Sequence, residues 1–312
     1  MEQEMEEKLY VLKTEGLTKI YSGRRVVNKV SMHVKKGDIY GFIGKNGAGK
    51  TTFMRMVAGL ARPDEGTIEL FGSTDIEKQR MRIGTLIEEP GLYRGMTAAE
   101  NLEVVRRAYG ITDKKVIQNA IDFIGLEEAG KKKVKDFSMG MKQRLGIAAA
   151  LLRNPDFLIL DEPINGLDPQ GIRQMRELFV KLNREKGITI IISSHILGEL
   201  SKIATAYGII RDGELVEEFD AEELTRRCRR CQRLEVDDTQ RAVNVLEEEL
   251  HIREFDVPEE HVIRIFEQLD NSAQINRKLM LAGIGIKENY LAGQDLEGYF
   301  MDLIEKGGER ND

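Results

Sequence analysis

Three stretches of this 312-residue chain hold residues that could handle a phosphate and a water. The first is Gly44-Lys45-Asn46-Gly47-Ala48-Gly49-Lys50-Thr51-Thr52, spaced G-x-x-x-x-G-K-[ST]. Its glycines let the backbone curl so that successive N–H groups point inward and form an anion-binding nest. A helix starting near Gly49 adds its positive dipole end to the same spot. Lys50 is then placed to reach the β- and γ-phosphates of a nucleotide, and the Thr51 hydroxyl to ligate Mg²⁺. The second stretch is Phe157-Leu158-Ile159-Leu160-Asp161-Glu162, four apolar residues followed by two carboxylates. Burying unpaired charge is costly, so two acids at the end of a buried strand point to chemistry. Asp161 suits a Mg²⁺ ligand and Glu162 a base that orients water. The third is Ser194-His195, just past the apolar run Ile188–Ser193, which puts His195 on the same sheet edge as a candidate γ-phosphate contact.

These residues need elements to position them. Ile39–Ile43 reads as a strand feeding the glycine-rich turn, and Phe53–Ala58 as the helix after it. Tyr10–Thr14 and Val26–Val34 read as strands, with Tyr21 in the loop between them. An aromatic there either stacks on a nucleotide base or supports the sheet. A strand at Thr67–Gly72 follows, and then Ile83–Pro90, a strand running into a loop that includes Glu88. Between about 90 and 153 the pattern turns helical. Thr97-Ala98-Ala99-Glu100 is a capping box, opening a helix with Leu102, Val105 and Ala108 on one side. A second helix covers about 113–124, and Ser138 caps a third that runs to Asn154-Pro155. The Ser138 hydroxyl and the N–H groups near Gly140 make a second anion-binding helix end. Asn165-Gly166-Leu167-Asp168-Pro169 is a turn before the next helix.

The formal net charge is −6, so no global basic field asks for nucleic acid. No apolar run approaches the roughly 18–20 residues that span a bilayer. The acidic start Met1–Glu7 lacks the build of a signal peptide, and the two cysteines, Cys228 and Cys231, fit a reducing compartment. Their C-x-x-C spacing has no second pair to complete a zinc site. The basic runs Lys131–Lys135 and Arg226–Arg230 read as solvated faces.

Taken together, residues 8–220 resemble the ATP-binding cassette ATPases, the nucleotide-binding subunits of ABC transporters. The resemblance rests on the Walker A run 44–52, the signature-like 138–142, the Walker B run 157–162, Gly166-Leu167-Asp168 as D-loop and His195 as switch histidine. It implies an α/β P-loop fold with a mixed β core, an antiparallel β subdomain and a helical subdomain. It also implies ATP and Mg²⁺ as cofactors. Lys50, Glu162 and His195 take catalytic roles; Thr51, Asp161 and the loop residue Glu88 sit at Mg²⁺. Tyr21 becomes the adenine-stacking aromatic. Ser138, Gly140 and Asp168 contact nucleotide across a homodimer that traps ATP at its seam. Two departures stand out. The usual Leu-Ser-Gly-Gly-Gln signature reads Phe137-Ser138-Met139-Gly140-Met141, and Glu88 replaces a glutamine. Both resemble the bacitracin- and lantibiotic-type exporters. The resemblance thus implies an ATPase at the cytoplasmic face of the membrane, energising a separately encoded permease that exports antimicrobial peptides or related amphiphiles. Residues 89–107 are the expected permease docking surface. A non-transport ATPase acting on DNA or ribosomes, or an ATP-sensing regulator, is the alternative. No long coiled coil separates Thr51 from Ser138, the chain has one cassette rather than two, and Glu162 is intact; all three disfavour it.

From 221 to 312 the chain reads as an accessory α+β domain. The order is strand Arg233–Val236, helix Thr239–Leu250, strands Ile252–Val257 and His261–Phe266, helix Ala273–Ala282, strand Ile286–Leu291 and helix Leu296–Lys306. That β-α-β-β-α-β-α order suits a ferredoxin-like unit.

Overall fold

The computed structural model describes residues 10–293, 298–300 and 303. The acidic segment Met1–Glu7 and most of the expected Leu296–Lys306 helix lie outside the described residues.

The chain opens with a hairpin of β1 (Tyr10–Tyr21) and β2 (Arg24–Val30). Ser22 and Gly23 form its turn with φ of 49° and 80°, as a two-residue turn matched to strand twist requires. Tyr21 therefore closes β1, opposite Arg24, rather than lying in a loop. β3 (His33–Lys35) pairs with the start of β1, and β4 (Ile39–Ile43) leads to α1 (Lys50–Val57). β5 (Glu65–Leu70) returns to β1, and β6 (Ile83–Leu86) follows. The helical stretch holds α2 (Ala98–Ala108), α3 (Lys115–Phe123) and α4 (Met139–Leu151). Then come β7 (Phe157–Leu160), α5 (Pro169–Lys186), β8 (Thr189–Ser194), β9 (Ala206–Arg211) and β10 (Glu214–Asp220).

The central sheet has 6 strands in the order β10-β9-β4-β8-β7-β6. All neighbours are parallel except β10, which runs antiparallel to β9. β4 and β7 are buried along their whole length, as a parallel sheet covered on both faces demands. β1, β2, β3 and β5 form a separate antiparallel sheet. One core joins the two sheets through Phe42, Phe53, Met54, Leu70 and Phe157. The rings of Phe42 and Phe53 lie 5.2 Å apart, which fixes α1 against β4; burying each side chain contributes about 1.5–3 kcal/mol. At the seam the Tyr40 hydroxyl donates to Glu218 (2.6 Å), and the His33 N–H donates to the same oxygen (2.9 Å). Burial and this carboxylate push the Tyr40 phenol well above its ordinary range.

In α2 both halves of the capping box form between Thr97 and Glu100. The inward face differs from the expected one. Leu102 is buried, but Ala108 is exposed and Arg106 is buried instead. Arg106 donates to the Glu103 carboxylate (2.7 and 2.9 Å) and to the Ile111 carbonyl, so its charge is paired while its stem packs. Together with Arg107 it holds the Glu103 carboxyl down to about 2. α4 buries Gln143, Leu145, Gly146, Ile147, Ala148 and Ala150, and an added carbon at Gly146 would lie 2.8 Å from Pro90 Cβ.

The described residues divide into two compact units between Ala221 and Glu222, with Leu303 in the first. The second unit has a 4-stranded antiparallel sheet, β12-β13-β11-β14. Its strands are β11 (Cys231–Val236), β12 (Phe255–Glu259), β13 (Val262–Ile265) and β14 (Ile286–Ala292), with α6 (Thr239–Glu248) and α7 (Ser272–Leu281) between them. Leu234, Leu246, Ile263, Ile275 and Leu279 make its core. The order 2-3-1-4 among its own strands is the ferredoxin-like split β-α-β arrangement. Cys228 and Cys231 form no disulfide, and no group of three or more His, Cys, Asp or Glu side chains placed to hold a metal occurs among the described residues. No described helix is long and apolar enough to cross a membrane.

Candidate functional site

β4, β8 and β7 are adjacent and parallel, so their C-terminal ends open on one edge. The glycine-rich loop leaves β4, Asp161-Glu162 leaves β7, and Ser193-Ser194-His195 ends β8. Topology alone thus gathers residues more than 100 positions apart, at the place where open α/β sheets bind ligands.

The loop is held close to the protein by small residues. A carbon added at Gly44 would sit 2.3 Å from the Ile210 carbonyl of β9, and one at Gly49 2.6 Å from the Val26 carbonyl of β2. Lys45, Asn46 and Gly47 form the exposed rim; Gly44, Ala48, Gly49 and Lys50 are buried beneath it, and Thr51 and Thr52 are half-buried. Lys50 is only 4% exposed. Its Nζ donates to the carbonyls of Gly44 (2.6 Å) and Lys45 (3.3 Å) and pairs with Glu162 Oε1 at 3.3 Å.

Two linked carboxylates face this loop. Asp161, 6% exposed, accepts from the Thr51 hydroxyl at Oδ2 (2.7 Å) and from the Ser193 hydroxyl at Oδ1 (2.5 Å). Glu162 Oε2 lies 2.9 Å from His195 Nδ1. Successive residues of a strand project to opposite faces. Both acids nevertheless reach loop residues, because Glu162 turns to φ 47°. Thr51 and Asp161 offer hard oxygen donors and only one carboxylate. That set fits a Mg²⁺ which completes its shell with phosphate oxygens and water rather than an all-protein cage.

The remaining expected residues lie elsewhere. Glu88 is 61% exposed along its side chain and bonds Arg55 of α1 at 2.5 Å, not the Thr51–Asp161 pair. Tyr21 is 45% exposed on its hairpin, with Lys19 Nζ 5.2 Å from the ring centre. Ser138 caps α4, accepting from the Met141 N–H (3.3 Å), and Asp168 caps α5, accepting from the Gly171 N–H (2.8 Å). These two helix starts adjoin: Met139 Sδ lies 3.1 Å from where a carbon on Gly166 would be, and Leu167 3.7 Å from one on Gly140. Among the described residues they form a second constellation, with no hydrogen bond to Thr51, Asp161 or Glu162. Sequence reasoning missed Ser193 and Arg55. A polar Ser-Ser pair ending an otherwise apolar strand was the available signal for Ser193; nothing local marked Arg55.

Comparison with known proteins agrees with this geometry. The profile of the ABC transporter family matches residues 27–165. The uncharacterized ABC transporter ATP-binding protein YcbN of Bacillus subtilis (strain 168) is 46% identical over 298 residues, spanning 95% of this chain and 97% of its own. The bacitracin transport ATP-binding protein BcrA of Enterococcus faecalis is 43% identical over 302 residues, spanning 96% and 98%. Among solved structures, a dimeric ATP-binding cassette bound to ADP and phosphate in a post-hydrolysis state superposes with a TM-score of 0.61 at 25% identity, covering 67% of this chain and 98% of that one. With the glycine-rich loop, the paired acids and His195 on one sheet edge, and with relatives matched over 95% and 96% of its length, this chain belongs to the ABC transporter family as one of its ATP-binding ATPase subunits.

Proposed function

We propose that this chain hydrolyses Mg-ATP to drive a separately encoded membrane permease that exports bacitracin-like or lantibiotic-like peptides or related amphiphiles. The observation that carries the reading is the continuous set Lys50–Glu162–His195 beside Thr51–Asp161. Lys50 binds the β- and γ-phosphates; Thr51 and Asp161 hold Mg²⁺, which supplies positive charge to the phosphate oxygens. Glu162 accepts the proton of the attacking water, and His195 orients Glu162 and contacts the γ-phosphate. Tyr21, exposed on its hairpin, stacks on the adenine.

The active unit is a pair of copies. Ser138, Gly140 and Asp168 of one copy complete the nucleotide site of the other, in keeping with their separate placement in a single chain. The dimeric cassette among the similar structures supports this arrangement. Permease docking falls on the 89–107 stretch. A groove of about 630 Å³ there is lined by Glu89, Pro90, Leu92, Arg94, Met139 and Lys142, joining that stretch to the signature helix. The bacitracin transport name of the relative matched over 96% of this chain supports the cargo class.

The test is Glu162→Gln. With Mg-ATP the variant should elute as a nucleotide-loaded dimer and hydrolyse about 10²–10⁴-fold more slowly than the parent. Hydrolysis at the parental rate would refute the assignment. Co-purification with ribosomes or DNA instead of a multi-span membrane protein would refute the transport role.

A further inference from the structure

Glu162 occupies a left-handed backbone conformation, φ 47°. A residue with a β-carbon pays roughly 1–2 kcal/mol for it, so the surroundings must impose it. The constraint comes from β8. Leu160 and Ile192 are register partners, and Ser193 follows Ile192. Ser193 is fully buried between β7 and β4, where it pairs with Phe42. Its Oγ accepts from the Glu162 N–H (2.8 Å) and donates to Asp161 Oδ1 (2.5 Å). One hydroxyl therefore holds the peptide that turns Glu162 toward Lys50 and the carboxylate that faces Thr51.

We propose that Ser193 is a positioning residue for hydrolysis: its hydroxyl, accepting from the Glu162 amide while donating to Asp161, sets the left-handed turn that brings both acids to the phosphate loop. This rests on the reading of Glu162 as base and Asp161 as Mg²⁺ ligand. Only a side chain that both donates and accepts within this short reach does the job. Alanine does neither. It leaves the Glu162 N–H unpartnered at a strained residue and leaves the Asp161 carboxylate held through Thr51 alone.

The test compares parent, Ser193→Ala, Ser193→Thr and Glu162→Gln. Steady-state ATPase activity is measured alongside binding of a fluorescent non-hydrolysable ATP analogue with Mg²⁺ and in EDTA, and the melting temperature of each protein. Ser193→Ala should lose about 10²-fold in kcat, since a misplacement near 1 Å costs on that order. Its KM should stay within about three-fold. Binding in EDTA should match the parent within about two-fold, because Lys50 and the loop are untouched, while the gain in affinity on adding Mg²⁺ shrinks. Ser193→Thr keeps the hydroxyl and should recover kcat to within about three-fold of the parent. If threonine's extra methyl lowers the melting temperature, Ser193→Cys is read in its place and should fall between parent and alanine.

Parental kcat in Ser193→Ala would overturn the proposal. So would an EDTA affinity that falls as far as kcat, which marks a general packing role, or a well-folded threonine or cysteine variant as impaired as alanine. Failure of the functional reading looks different: the parent does not hydrolyse Mg-ATP, or Glu162→Gln hydrolyses it at the parental rate.

Discussion

Three glycines of the loop between β4 and α1 should tolerate alanine in a defined order, because each is required for a different reason. Gly47 sits at φ 83° with nothing within 4 Å of an added carbon. Gly47→Ala therefore meets backbone strain alone, about 1 kcal/mol. Gly44 meets steric blockade: the new carbon would lie 2.3 Å from the Ile210 carbonyl and 2.8 Å from its Cγ2. The blocking atom is backbone, so the cost falls at the upper end for overpacking, about 3 kcal/mol. Gly49 meets both, with φ 106° and the Val26 carbonyl at 2.6 Å, for about 4–5 kcal/mol. For a unit of this size each kcal/mol lowers the midpoint by about 2–4 °C. Without nucleotide, Gly47→Ala should melt about 2–4 °C below the parent and Gly44→Ala about 6–12 °C below, with Gly49→Ala lowest. The Gly44 carbonyl also accepts from Lys50 Nζ at 2.6 Å. Displacing it moves the lysine, so Gly44→Ala should also lose most of the stabilisation that Mg-ATP confers, about 2.7 kcal/mol at 100 times Kd in the parent. Thermal unfolding with and without Mg-ATP reads both effects. Equal midpoints for the three variants, or Gly47→Ala as the worst, would refute the argument.

Acid titration tests the Glu103–Arg106–Arg107 cluster. The Glu103 carboxyl lies at about 2 against an ordinary 4.5, so its contribution is complete above about 4.5 and is lost as pH falls toward 2. Melting curves of parent and Glu103→Gln should differ at pH 6 and converge near pH 2; a constant gap would contradict the pairing. Asn101 is 3% exposed and ties down Tyr93 by accepting from its N–H (2.7 Å) and donating to its carbonyl (3.1 Å) and to that of Thr97 (2.9 Å). Asn101→Ala should cost about 2–3 kcal/mol, seen as a lower urea midpoint with faster amide exchange at 93–97. An unchanged midpoint would mean solvent replaces those bonds.

Local signals carried much of this architecture. Continuous apolar runs marked β4, β7 and β8, and because a buried parallel strand delivers its C-terminal residues to one edge, the positions of Lys50, Asp161 and His195 followed from the runs alone. The Thr97–Glu100 capping box was equally legible, since its partners lie one turn apart. What escaped notice depended on partners distant in sequence. Arg106 displaced Ala108 from the buried side of α2 because Glu103 and the Ile111 carbonyl satisfy its charge, which no apolar periodicity records. The Glu88 partner, Arg55, lies on α1, 33 positions away, within hydrogen-bond reach in an exposed pair. Tyr21 reads as a loop residue because the first strand is expected to end at Thr14, whereas β1 continues to Tyr21. Ser193 was hidden by its neighbours: a hydroxyl at the end of an isoleucine run reads as a strand terminus until the adjacent strand supplies the acid beside it.

The cap on the signature helix has a consequence for how that helix meets an anion. Ser138 receives the Met141 amide on one lone pair, at a long 3.3 Å. A hydroxyl carries a proton and two lone pairs, so this duty leaves its O–H to turn outward. Fraying of the helix start and donation by the hydroxyl are thus uncoupled: the serine can turn its O–H outward without letting go of the amide it already serves. Offering that O–H to an acceptor takes rotation about one C–O bond rather than the unwinding of a turn, a motion of picoseconds to nanoseconds.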